Sequence, residues 1–171
     1  MTEMLTAIER MPDAYKVIWV AFWLAGATLL ERLAPLSHAP YDRLRHARVN
    51  GALLGTTLMI NALFGLALVR LLPWLAEHQF GLFQQITWPL WAELLLTVLI
   101  LDFLAQYVVH YLLHNLPLLW RFHMVHHSDT HVDATTGTRH HPLDYAVREA
   151  FSLVIVALLG VQSLTTCSIA C

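Results

Sequence analysis

Residues Val49 to Val69 form a run of 21 positions without one charged side chain. An α-helix needs about 20 apolar residues to cross the ~30 Å hydrocarbon layer of a bilayer, so this run predicts a membrane-spanning helix. Gly51, Gly55 and Gly65 on it permit close approach of a neighbouring helix. Three further segments share the character. Ala14 to Ala34 is uncharged from Val17 to Leu30, with Lys16, Glu31 and Arg32 at its edges, where long side chains reach the headgroups. Pro89 to His114 opens behind Trp88 with Pro89 and Trp91, which suits an interfacial aromatic belt and a helix start. Phe151 to Ala170 is uncharged and turns rich in Ser and Thr after Gly160. Composition agrees: 57% of the 171 residues are apolar and 13% charged, against roughly 25% charged in a soluble domain. The expected fold is an all-α integral membrane protein of about four transmembrane helices, over 14–34, 49–69, 89–114 and 151–170, forming a single domain. Glu3, Glu9 and Asp13 precede the first apolar run, which argues against a cleavable signal peptide. A net charge of −2 and a pI near 6.6 give no electrostatic case for nucleic acid.

Basic residues orient the spans, because cytoplasmic loops retain Lys and Arg. Arg32, Arg43, Arg45 and Arg48 flank the first loop, and Arg121, Arg139 and Arg148 the third. Only Arg10, Lys16 and Arg70 lie on the opposite side. Both of the richer loops are expected in the cytoplasm.

The second constraint is histidine. There are 11, more than Lys and Arg together, and eight fall between His110 and His141. His110 and His114 are four residues apart at the end of the third span, so on a helix they share a face about 6 Å apart along the axis, a spacing that lets two imidazoles bind one metal ion. After the Asn115-Leu116-Pro117 break, His123, His126 and His127 share a helical face, which His131 would extend by one turn. Arg139-His140-His141-Pro142 follows, with Asp144 close behind. The isolated His38, His46 and His78 are read as interfacial fillers whose ring tips reach water, whereas two helix-face sets so close together point to metal binding. Cys167 and Cys171 are remote from the cluster, which disfavours thiolate zinc. Neither Glu-x-x-His nor His-Glu-x-x-His occurs, which removes the four-helix carboxylate di-iron pattern and the zinc proteases. An almost all-imidazole site remains, suited to iron, copper or zinc by ligand type.

These residues resemble a family. His-x-x-x-His at 110 and 114, Leu-Trp-Arg-x-His-x-x-His-His-Ser from Leu119 to Ser128, and Thr-Thr-x-x-Arg-x-His-Pro from Thr135 to Pro142 look like the fatty acid hydroxylase/sterol desaturase superfamily of membrane non-haem di-iron oxygenases. The resemblance covers about Asp102 to Arg148. It implies His110, His114, His123, His126, His127 and His141 as ligands of non-haem iron, two ions in the family, with His131 and His140 as second choices. The implied reaction is O2-dependent hydroxylation or desaturation of a membrane lipid, fatty acid or sterol-like, with two electrons from an external donor. Asp129, Asp133 and Asp144 are expected to accept from the free ring N–H groups of the ligand histidines and so orient them. Asp102 lies on nearly the same helical stripe as Gln106, His110 and His114, but some 12 Å from His110, which suits a supporting role. Members of the superfamily resemble one another in a further downstream His-x-x-His-His group. No histidine follows His141 here, which favours a truncated product with impaired activity. The rival reading is a non-catalytic membrane metal- or haem-binding protein.

Overall fold

The computed structural model describes residues 12–34 and 42–161, and every regular element among them is helical. Helix α1 spans Asp13–Leu33 and α2 spans Arg43–Glu77. Asp42 caps α2, its carboxylate accepting from the Arg45 amide at 3.0 Å. At 35 residues, α2 is about 52 Å long and outruns the hydrocarbon layer. The short α3, Leu82–Gln85, leads to α4, Leu90–Ile100, which continues through a π-helical segment, Leu101–Val108, into α5, Val109–Asn115. Leu116 is extended and breaks the helix. Helix α6 then runs Pro117–His127, a 3-10 turn covers Thr136–Thr138, and α7 spans Pro142–Leu159. Both α6 and α7 begin on proline, whose missing N–H costs nothing at a first helical position.

Among the described residues, two helical bodies are long and apolar enough to cross a membrane, Arg43–Gln85 and Leu90–Asn115. Burial follows the same logic, since most large apolar side chains face outward. Leu66, Val69, Trp91, Val98, Leu99 and Phe103 are all more than half exposed. The residues sealed from the surroundings include Asn50, Glu93, His123, Thr136 and Asp144. An exterior of large apolar side chains with polar groups among those buried suits a chain solvated by lipid. A small apolar core of Phe83, Ala105, Ile155 and Leu159, backed by Trp88, Leu96 and Ile100, joins α3, the π segment and α7. Helix α7 also packs along α2. The start of α2 and the end of α5 lie at the same end of the molecule, where Asn50 of α2 meets Thr135 and the histidines gather.

Two expectations are corrected here. The segment 151–170 is not one uninterrupted helix: α7 starts nine residues earlier and ends at Leu159, because Gly160 takes the left-handed conformation (φ 66°) and its amide closes onto Val156 and Ala157. Residues 162–171, including Cys167 and Cys171, lie outside the described residues, as does His38. Asp102 and Gln106 both lie exposed on the π-helical segment Leu101–Val108. His131 does not extend the His123 face, because α6 stops at His127.

The end of α7 is locked by an approach of two backbones. A Cβ on Gly81 would lie 2.3 Å from the Gly160 Cα, and Gly81 has φ 105°, a region that only glycine adopts readily. Gln84 Nε2 donates to the Gly160 carbonyl across the contact at 2.9 Å. Gly81→Ala is expected to destabilise by about 1–3 kcal/mol, while Gly26→Ala, in open space, leaves the thermal midpoint in detergent unchanged or slightly raised. Equal midpoints for the two variants would contradict the close approach.

Candidate metal centre

Four imidazoles converge where α5 meets α6. His110 and His114 come from successive turns of α5, and His123 and His127 from successive turns of α6, so both four-residue spacings aim their rings at one point. One nitrogen from each ring lies within 4.8 Å of the other three. His110 Nε2 and His114 Nε2 are 3.1 Å apart, as are His123 Nε2 and His127 Nε2. Ligands opposite one another at about 2.1 Å from an ion stand ~4.2 Å apart, so a slight contraction of the quartet suits a divalent transition metal. The donor set is all imidazole. Trp120 lies beside the His114 and His127 rings, with centroid distances of 5.3 and 5.6 Å. His123 is buried, His110 half-buried, and His114 and His127 exposed, so the quartet is backed on one side and open on the other.

The closed side is organised by Asp144. Its carboxylate is fully buried and accepts from His123 Nδ1 at 3.0 Å and from Arg148 Nε at 3.1 Å, with His140 Nδ1 at 3.5 Å. A carboxylate on Nδ1 puts the His123 proton there and leaves Nε2 as a lone pair aimed into the quartet, the arrangement a metal ligand requires. Arg148 Nη2 donates to His110 Nδ1 at 2.9 Å. A guanidinium has no acceptor, so the His110 proton then resides on Nε2 and is shared with His114. A cation held at His110 Nε2 would require that proton on Nδ1, the nitrogen that Arg148 faces.

Burial lowers the pKa of His123 despite the opposing Asp144 carboxylate. Burial and then the His140 ring lower that of His126, and burial and then His114 lower that of His127. Burial alone would raise Asp144, but His140, His123 and Arg148 together hold it well below the usual carboxylate range. The neutral forms of His123, His126 and His127, which a metal ligand requires, are therefore favoured.

The other sequence candidates are placed elsewhere. His126 stacks on His140 with centroids 4.9 Å apart and planes at 7°; the His126 Nδ1 is buried without a hydrogen-bond partner. His141 caps α7, its Nδ1 accepting from the Leu143 amide at 3.1 Å, and stacks on Phe122. His131 contacts Thr130. Asp129 and Asp133 face His46, at 3.1 and 3.9 Å, so of the expected supporting carboxylates only Asp144 meets a quartet ring. His46 is correspondingly no interfacial filler, since folding brings it onto these acids. Sequence reasoning used Arg148 only to orient the spans and gave it no role at the site, which the i,i+4 spacing after Asp144 could have suggested; it gave none to Asn50, whose amide lies near the start of an otherwise apolar run.

Residues 94–171 match the fatty acid hydroxylase family model. The matched region takes in the whole quartet together with Asp144 and Arg148, and agrees with the superfamily read from the three histidine motifs. No curated protein and no solved structure matches the chain.

Two measurements check this geometry. Because the buried rings refuse protons that the unfolded chain accepts, stability is full above the ordinary histidine value of 6.5 and declines as pH falls below it; thermal unfolding of the purified chain from pH 8 to about 5 should show that decline, and a flat profile would contradict it. Asp144→Ala, which strands Arg148 and His123, should cost about 3–5 kcal/mol, whereas Asp144→Asn should cost less because an amide oxygen can still accept from His123 Nδ1.

Proposed function

We propose that this chain is an O2-dependent membrane lipid hydroxylase or desaturase that holds non-haem iron at its histidine cluster. The observation that carries the reading is the quartet His110, His114, His123 and His127, with converging nitrogens inside the matched fatty acid hydroxylase region and at the end of an apolar helix long enough to cross a bilayer. Iron held there supplies the oxidising chemistry, activation of O2 for attack on an unactivated C–H bond, giving an alcohol or an alkene with two electrons from an external donor. The four rings bind the ion through neutral nitrogens. Asp144 orients His123 and supplies the nearest compensating negative charge. For a second ion the proposed ligands are His126 and His141, with His140 and His131 as second choices. His126 and its stacked neighbour His140 lie beside His123, and the buried, unpartnered Nδ1 of His126 supports that assignment.

The proposed topology embeds segments 14–34, 49–69 and 89–114, with the fourth entering at Phe151 as part of α7. The histidine end faces the cytoplasm, where Arg43, Arg45, Arg48, Arg121, Arg139 and Arg148 concentrate. A lipid tail then reaches the open side of the quartet from the bilayer, while the electron donor approaches from water. Bis-histidine haem fits less well, because the quartet rings have centroids only 4.7 to 4.8 Å apart, which leaves no room for a macrocycle between facing ligands.

The test is metal analysis and turnover of the full chain in lipid nanodiscs. Iron should co-purify and be lost in a His110→Ala/His123→Ala double variant; with a chemical reductant and O2, the bound lipid should yield hydroxylated or unsaturated products. Iron retention without an O2-dependent product would leave a metal-binding protein and overturn the enzymatic reading. A stoichiometric haem Soret band would overturn the non-haem assignment.

A further inference from the structure

The Thr135, Thr136 and Arg139 positions stand out in the sequence, yet none of them contributes to the quartet. They build a second polar cluster that ties the loop after α6 to the start of α2. Arg139 is its hub, donating from Nε to the Val125 carbonyl at 3.1 Å, from Nη2 to Ser128 Oγ at 3.1 Å and from Nη1 to Asn50 Oδ1 at 3.1 Å. Asn50 is fully buried and donates from Nδ2 to Thr135 Oγ1 at 2.8 Å. Thr135 in turn donates to Asp133, and Thr136 to Asp129, whose carboxylate reaches His46 of α2.

The Val125 carbonyl is one of the last of α6 and also accepts from the amide and the hydroxyl of the capping Ser128, at 3.4 and 2.8 Å, so Arg139 adds to a capped helix end. That carbonyl belongs to the peptide that carries His126, and His127 is the next residue. Arg139 therefore holds the last turn of α6 from outside, with a cation at the negative end of the helix, while His140, its chain neighbour, stacks on His126. The guanidinium serves three acceptors on two elements from three separate nitrogens, a spread that the single nitrogen of an ammonium lacks. We propose that Arg139 is a positioning residue for the metal centre: it clamps the end of α6 to α2 through Asn50 and so sets the aim of the His126 and His127 rings. The proposal rests on the metal-centre reading. A ligand constellation tolerates displacements of only about 0.5 Å, so releasing this turn weakens the centre although Arg139 touches no quartet ring.

The test uses the purified full chain in detergent and Co2+ as a probe, whose visible absorption reports the number and geometry of nitrogen ligands. Arg139→Gln and Arg139→Lys should each weaken Co2+ binding by about 10–100-fold and alter the absorption, with helical content and elution volume retained. Asn50→Ala, which removes one of the three contacts, should have a smaller effect, and Arg70→Gln none. Wild-type affinity and spectrum in both Arg139 variants would overturn the proposal, and so would loss of the helical fold in both, which would make the clamp a general folding element. Failure of the wild-type chain to bind Co2+ would overturn the metal-centre reading itself, and the proposal with it.

Discussion

The arrangement of this protein's polar end depends on one buried carboxylate. Asp144 meets His123 of α6 and Arg148 of its own helix, and Arg148 carries the connection on to His110 of α5. Taking a carboxylate out of water costs several kcal/mol unless charge and hydrogen bonds compensate. Here the compensation comes from three structural elements, so the acid is stable in place only when α5, α6 and α7 are correctly assembled. Histidines separated by 13 residues along the chain become neighbours through that requirement as much as through their own spacing.

Lipid solvation explains why so polar a group can organise so apolar a chain. With large aliphatic and aromatic side chains facing outward, burial of apolar surface gives little preference for one helix packing over another inside a bilayer. Specificity then falls to small-residue contacts and to polar networks at the helix ends. The Gly81–Gly160 approach is of the first kind; the Asp144 and Arg139 networks are of the second. The two networks meet on α6. Asp144 holds the His123 ring from one side, while Arg139 holds the carbonyl end of the same helix from the other.

Much of the site was legible in the sequence because helical spacing is local. Two His-x-x-x-His pairs, at 110 and 114 and at 123 and 127, needed only the 3.6-residue period to be read as ligand pairs, and Asp144 was legible as a nearby acid. His126 shares the helix of His123 and His127, yet its ring stacks on His140 outside the quartet. Asp129 and Asp133 are as close in sequence to the histidines as Asp144 is, but the loop turns them toward His46. The π-helical segment that carries Asp102 was not legible, because its wider turn has no distinctive sequence signal.

The sequence alone determined the helical class, the apolar segments and the histidine pairs, since each follows from interactions within about one helical turn or from the thickness of a bilayer. The tertiary structure decided which rings share a centre, which carboxylate supports them, and that Asn50, His46, Arg139 and Arg148 belong to the polar end at all. Asp144 meets His123 across 21 positions, Arg148 meets His110 across 38 and Arg139 meets Asn50 across 89. No period in the sequence encodes them, because they exist only where packed helices leave a buried polar group that must find a partner.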